Sequence, residues 1–158
     1  MLDGLIIRSS SIHAAGCYTT RRFRKGERVC EYAGPRFTKA EADARYHGRD
    51  ITYLFSCGDD GAVIDGFGTA MFINHSCEPN CETTDINGRI FVVARRDIAA
   101  GEELTYEYNL HDSDESEADC YCGALACRGT MFSEDEVARR RKRAARRIRR
   151  TTGPGAEN

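Results

Sequence analysis

The chain has 158 residues, 41% of them hydrophobic and 30% charged, with a formal net charge of −2. That length fits one domain with an appended tail and allows a core of useful size. No apolar run is long enough to span a bilayer as a helix, so a membrane partner is not expected.

The small net charge conceals an asymmetry. Residues 1–137 carry 14 Lys and Arg against 24 Asp and Glu, whereas residues 138–158 carry nine basic residues and one acidic residue. An acidic body attracts cationic partners, and a basic end attracts polyanions. The first eleven residues lack the apolar stretch of a secretory signal, which predicts an intracellular protein. Its eight cysteines then sit in a reducing compartment, where clustered thiols serve metals more often than disulfides.

In chain order, short runs rich in Ile, Val, Tyr and Phe predict strands at 5–8, 28–32, 52–56, 62–65, 89–95 and 103–108. Asp59-Asp60-Gly61 and Asn87-Gly88 are hairpin signals between such runs. Thr38 and Glu41 form a capping-box pair that starts a helix ending near Tyr46. Residues 111–119 are polar and aperiodic and read as an acidic linker. Ser133 and Glu136 form a second capping box, leading into a basic helix over 137–150 with few apolar residues to bury. Residues 151–158 are expected to be disordered. The fold class is mostly β, with one or two short helices.

Cys120, Cys122 and Cys127 have the spacing C-x-C-x4-C. That supplies three thiolates where a closed tetrahedral zinc site needs four, so a fourth ligand comes from far upstream or is absent. Cys81 is a backup candidate. Cys17, Cys30 and Cys57 stand in apolar or strand-like contexts and read as small buried hydrophobes. The segment Asn74-His75-Ser76-Cys77 raises a Cys–His nucleophile, but neighbours in one tight segment do not easily place an in-line base, and the sequence sets no acidic residue beside them.

Phe72-Ile73-Asn74-His75-Ser76-Cys77-Glu78-Pro79-Asn80-Cys81, Gly101-Glu102-Glu103-Leu104-Thr105-Tyr106-Glu107-Tyr108-Asn109 and the final cysteine cluster, in this order, resemble the signature of SET-domain protein lysine methyltransferases with a post-SET tail. Glu31-Tyr32-Ala33-Gly34, Tyr53-Leu54-Phe55 and Arg128-Gly129-Thr130-Met131 add to the likeness, which covers about residues 5–132. His13-Ala14-Ala15-Gly16-Cys17-Tyr18 resembles the family's first cofactor loop, with Ala14 where glycine is usual. Met71 likewise stands where arginine is common.

The resemblance implies a SET domain over 5–110 with a knot-like crossing of several small sheets, then the linker 111–119, a zinc segment at 120–132 and the basic helical tail at 133–150. It makes Cys77 the fourth zinc ligand beside Cys120, Cys122 and Cys127. It makes Tyr108 the catalytic tyrosine, with Tyr106, Tyr32 and Tyr53 lining a lysine channel, and Tyr106 favouring mono- or dimethylation. S-adenosylmethionine would be held by His13, Ala15, Gly16, Cys17, Tyr53, Asn74, His75, Tyr108, Tyr121 and Met131. The substrate would be a basic, histone-like protein, as the acidic body also suggests. Residues 139–150 either contact nucleic acid or fold onto the acidic body. A nuclear, chromatin location is expected in a eukaryote and a cytoplasmic one in a prokaryote. The alternative is a catalytically idle SET-like module that binds nucleic acid or protein through its basic tail.

Overall fold

A computed structural model describes residues 4–48, 53–57, 61–111 and 117–151. Its strands are β1 (Leu5–Ser9), β2 (Ala15–Thr19), β3 (Arg28–Tyr32), β4 (Arg36–Thr38), β5 (Leu54–Cys57), β6 (Ala62–Asp65), β7 (Asn74–His75), β8 (Cys81–Ile86), β9 (Arg89–Ala94) and β10 (Thr105–Tyr106). Helix α1 (Lys39–Tyr46) follows β4, a 3-10 turn spans Thr69–Phe72, and α2 (Glu134–Thr151) closes the described chain. The strands form four small sheets: β1-β2, β4-β6-β5, β3-β9-β8, and a parallel pair of β7 with β10.

The mostly-β expectation holds, and each difference has a local cause. β8 (Cys-Glu-Thr-Thr-Asp-Ile) is too polar to read as a strand. It is recruited by the hairpin to β9, whose Asn87-Gly88 turn takes positive φ at both residues (55° and 75°). β2 lacks alternation because its Gly16 and Cys17 are both buried. The run predicted at 103–108 is a strand only at Thr105–Tyr106, because the chain changes partner there. Glu103 bridges Tyr18 of β2, and Thr105 and Tyr106 then pair with Asn74 and His75 of β7. Asp59 and Asp60, and residues 112–116 of the linker, lie outside the described residues, as do residues 152–158.

Both helix starts behave as caps. Thr38 Oγ1 accepts the Glu41 amide (3.2 Å), and the Glu41 carboxylate accepts the Thr38 amide (2.8 Å), closing the box. At α2, Ser133 Oγ accepts the Glu136 amide (3.2 Å), but the Ser133 amide donates to the Leu110 carbonyl (3.1 Å) instead. Glu136 is thereby left to hold Arg139 and Arg140, each at 2.8 Å. α2 is longer than the sequence suggested and runs to Thr151.

The core gathers Phe23, Ile73, Ile98, Leu104 and Val92, each under 2% exposed, against Cys17 and Cys81. Burial pushes the Cys17, Cys30 and Cys81 thiols up to about 12, so they remain protonated, inert hydrophobes. Cys81, the backup metal ligand, is thus a core residue and lies outside the cysteine cluster described below.

Candidate active site and cysteine cluster

Asn74 and His75 enter the interior on β7, and Tyr106 and Tyr108 come from β10 and just beyond it. Segments 74–80 and 103–108 hold each other through their main chains. Asn80 Nδ2 donates to the Glu103 carbonyl (2.8 Å), while Asn80 Oδ1 accepts the Thr105 amide (2.9 Å). The Ser76 amide donates to the Tyr106 carbonyl (3.2 Å), and the Tyr108 amide to His75 Nδ1 (3.2 Å). One buried side-chain amide replacing two sheet bonds is a rigid joint, because none of its polar groups is left unpaired.

Along this joint runs a chain of aromatic rings. Tyr32 lies 5.1 Å from Phe55, Phe55 lies 6.3 Å from Tyr106, and Tyr106 lies 4.9 Å from Tyr108, whose ring meets His75 at 5.4 Å. The Tyr108 hydroxyl donates to the Ile73 carbonyl (2.9 Å), and the Tyr32 hydroxyl to the Tyr53 carbonyl (2.8 Å). The Tyr106 hydroxyl has no hydrogen-bond partner among the described residues. Burial raises the pKa of Tyr32, Tyr106 and Tyr108 well above the ordinary phenol value, with neighbouring tyrosines adding to it, so all three are neutral hydroxyls at physiological pH. Gly66 is required beside this wall, since a β-carbon there would stand 2.5 Å from the Tyr32 hydroxyl. Tyr53 is exposed, and its ring joins none of these pairs.

The candidate cofactor loop is tied to the same joint. Asn74 Nδ2 donates to the Ala15 carbonyl (3.0 Å) and to Glu103 Oε1 (2.9 Å). Glu103 also accepts the Ser10 and Tyr18 hydroxyls, at 2.7 and 2.9 Å. Gly16 passes so close that a β-carbon would come within 2.2 Å of Glu103 Oε1. His13 and Ala14 are exposed at the loop's tip, and Ala14 has φ of 31°, in the left-handed region where glycine is at ease. Ala15, Gly16, Asn74, His75 and Tyr108 therefore form one contiguous group. Cys17 is fully buried, with its side chain in the core and its carbonyl accepting the Leu104 amide (2.7 Å), so it stands behind this group with no surface of its own. Sequence reasoning gave no role to Glu103, Ser10, Tyr18 and Asn80; the hints were that Tyr18, Asn80 and Glu103 each lie inside a quoted motif.

The four cysteines named from the sequence do come together. The sulfurs of Cys77, Cys120, Cys122 and Cys127 all lie within 4.8 Å of one another, with Cys77 at 3.8 Å from Cys120 and 4.0 Å from Cys127. Zinc–thiolate bonds of about 2.3 Å in a tetrahedron give sulfur separations of about 3.8 Å. Backbone amides also aim at the sulfurs: Cys77 N at Cys122 (3.5 Å), Arg128 N at Cys77 (3.4 Å) and Gly129 N at Cys127 (3.4 Å). Although burial opposes it, such donors bring the Cys122 thiol down to about 6, and burial raises Cys77 and Cys120. This donor set fits a zinc ion, which would supply the charge that makes all four thiolates.

The cluster fastens the tail to the joint. Arg128 Nη1 meets Glu107 Oε2 at 2.8 Å, and Glu107 Oε1 lies 3.3 Å from His75 Nδ1. Ala118 and Asp119, read as linker, instead pair with the tail: the Met131 amide and Thr130 hydroxyl donate to the Ala118 carbonyl at 2.8 and 3.0 Å. Met131 is thus set by its backbone beside Leu110 and Ala118, while Tyr121 is largely exposed, its hydroxyl near Asp119.

The nucleophile reading needs a correction in detail. His75 Nε2 does lie 3.5 Å from Cys77 Sγ, and Glu107 does stand beside the ring. Because Nδ1 accepts the Tyr108 amide, however, the proton of the neutral ring sits on Nε2 and points at the sulfur, so the ring cannot take a proton from it. Burial lowers the His75 pKa and keeps it in this neutral form.

The SET domain family model matches residues 14–109. The chain is 43% identical over 130 residues to histone-lysine N-methyltransferase trithorax of Drosophila virilis, covering 75% of this chain and 3% of that protein. It is 41% identical over 136 residues to histone-lysine N-methyltransferase ATX2 of Arabidopsis thaliana, covering 77% of this chain and 12% of that protein. To the H3 lysine-4 specific histone-lysine N-methyltransferase of Saccharomyces cerevisiae it is 40% identical, again over 77% of this chain and 12% of the relative. The chain thus spans only a small part of the length of these relatives. Among the described residues no helix is long and apolar enough to cross a membrane. With its small sheets, interlaced segments and matching motifs, the chain belongs to the SET-domain family.

Proposed function

We propose that this chain is an S-adenosylmethionine-dependent protein-lysine N-methyltransferase that acts on a basic, histone-like substrate in chromatin. The observation that supports it most is the aromatic row from Tyr32 to Tyr108, ending beside the contiguous group of Ala15, Gly16, Asn74 and His75. When bound there, S-adenosylmethionine would supply an electrophilic methyl group. Ala15, Gly16, Asn74, His75 and Tyr108 would hold it, with His13 at its edge and with Tyr53, Tyr121 and Met131 closing over it.

The chain's own residues do the rest by positioning and desolvation. A lysine with a pKa of about 10.4 is almost wholly protonated at neutral pH. A narrow aromatic channel disfavours its ammonium form, so the proton leaves to water and no side-chain base is needed. Tyr108 spends its proton on the Ile73 carbonyl, which turns the oxygen lone pairs toward the channel to accept from the amine. The Tyr106 hydroxyl, with no hydrogen-bond partner among the described residues, can hold a water that crowds a bulkier methylated amine, which favours mono- and dimethylation. The net negative body, 14 basic against 24 acidic residues, suits a basic peptide. The names of the relatives point to histone H3 as the first substrate to try. Cys77, Cys120, Cys122 and Cys127 would hold zinc as a fastener for the post-SET tail.

The test is incubation with methyl-labelled S-adenosylmethionine and an H3 peptide, read by mass spectrometry. The wild-type chain should add one or two methyl groups, and Tyr106→Phe should add a third. No labelled product on any basic protein would contradict the enzyme reading, and unchanged products with Tyr106→Phe would contradict the product assignment.

A further inference from the structure

Helix α2 begins three residues after Met131, and its N-terminal part is anchored: Arg140 lies 3.8 Å over the Phe132 ring, and Phe132 bridges Leu110, close beyond Tyr108. The three acidic residues of α2, Glu134, Asp135 and Glu136, all fall in the first turn, and Glu136 is held by Arg139 and Arg140. Beyond it the helix leaves the body, and residues 141–148 are all exposed. Arg141, Lys142, Arg143 and Arg146 have no ion-pair partner among the described residues. At 3.6 residues per turn, Lys142, Arg143 and Arg146 share one side with Arg139, while Arg141 falls opposite with Ala144, Ala145 and Ile148.

We propose that this exposed basic side of α2 grips the phosphate backbone of double-stranded nucleic acid and holds a nucleic-acid-bound substrate next to the channel. The step from basic grip to delivered substrate rests on the methyltransferase reading; the grip itself does not. Three observations select this partner. Arginine outnumbers lysine on the helix, and its planar fork suits phosphate oxygens. A lone helix about 10–12 Å across fits a major groove about 12 Å wide. The opposite side sets Arg141 among Ala144, Ala145 and Ile148, too little apolar surface to seat a helix in a lipid interface. The acidic body repels the same polyanion, which confines contact to α2 and sets the orientation of the complex.

The experiment is fluorescence anisotropy of the full chain against a short labelled duplex over a series of salt concentrations. It is run beside a variant carrying Lys142→Gln, Arg143→Gln and Arg146→Gln, whose helix content is checked by circular dichroism. We expect the wild-type affinity to fall linearly with salt on logarithmic axes. The variant should bind at least about tenfold more weakly, with a slope shallower by about 2 to 3. A second variant with Arg143→Lys and Arg146→Lys should keep the slope. Equal affinities and slopes for wild type and the glutamine variant would overturn the proposal, as would tighter binding to anionic lipid vesicles or to polyglutamate than to the duplex. Methyl transfer to a free peptide should be unchanged in the glutamine variant. Duplex binding without any such transfer in the wild type would leave the grip standing and sink the enzymatic reading instead.

Discussion

The interlaced segments 74–80 and 103–108 and the tail 117–132 lie side by side, yet they are held by different forces. The first pair is joined by buried main-chain bonds, by both polar atoms of Asn80 and by the Asn74–Glu103 contact, on a core of Ile73 and Leu104. The tail has little apolar burial beyond Ala118 and Phe132, and it closes through four sulfurs, the Arg128–Glu107 ion pair and two short bridges. The joint is therefore held by the polypeptide's own bonds, whereas the tail, on the proposed reading, would draw its stability from a zinc ion bound by the four thiolates. Tyr106 and Tyr108, the tyrosines proposed for catalysis, sit on the first side, and Tyr121 and Met131, proposed to close over the cofactor, sit on the second.

Substitutions on each side should separate the two. Tyr108→Phe removes one hydroxyl from the joint and should cut methyl transfer by about 100-fold or more, as loss of a key positioned donor does. The lost hydrogen bond to Ile73 should cost only about 1 kcal/mol of stability in urea unfolding. Cys127→Ser, or a chelator, opens the tail instead. Activity should fall by about 10- to 100-fold, and limited proteolysis should clip residues near 117–132 while the body survives. Gly16→Ala pushes a β-carbon against Glu103 and should cost about 1–3 kcal/mol, read by the same unfolding experiment. Ala14→Gly relieves a left-handed alanine and should stabilise the chain by somewhat under about 1 kcal/mol. The smallest effect concerns pH. The raised pKa values of Tyr32, Tyr106 and Tyr108 leave their phenols neutral up to at least about pH 10, so the rate should climb with deprotonation of the substrate amine and show no tyrosine inflection below that.

Much of the joint was legible because its chemistry is local in sequence: Asn74-His75 and Tyr106/Tyr108 each sit in one short run. The Thr38–Glu41 cap was legible for the same reason. Strand β8 was not, because its polar residues carry no burial signal and only pairing with β9 extends them. Glu103 looked like one more strand residue. Its role as the acceptor for Ser10, Tyr18 and Asn74 depends on contacts spanning 93, 85 and 29 residues, which no periodicity encodes. The second capping box was half right, since the Ser133 amide was already taken by Leu110. The cysteine set required both kinds of information. Spacing gave three thiols, resemblance named Cys77, and the fold brought its sulfur to 3.8 Å from Cys120.

Hydrogen exchange on the zinc-loaded and chelated chain tests the difference between the two regions most directly. On removing the metal, amides of 117–132 should lose protection while those of 74–80 and 103–108 keep theirs. Simultaneous loss in both regions would show that the joint also depends on the metal, and would contradict the account.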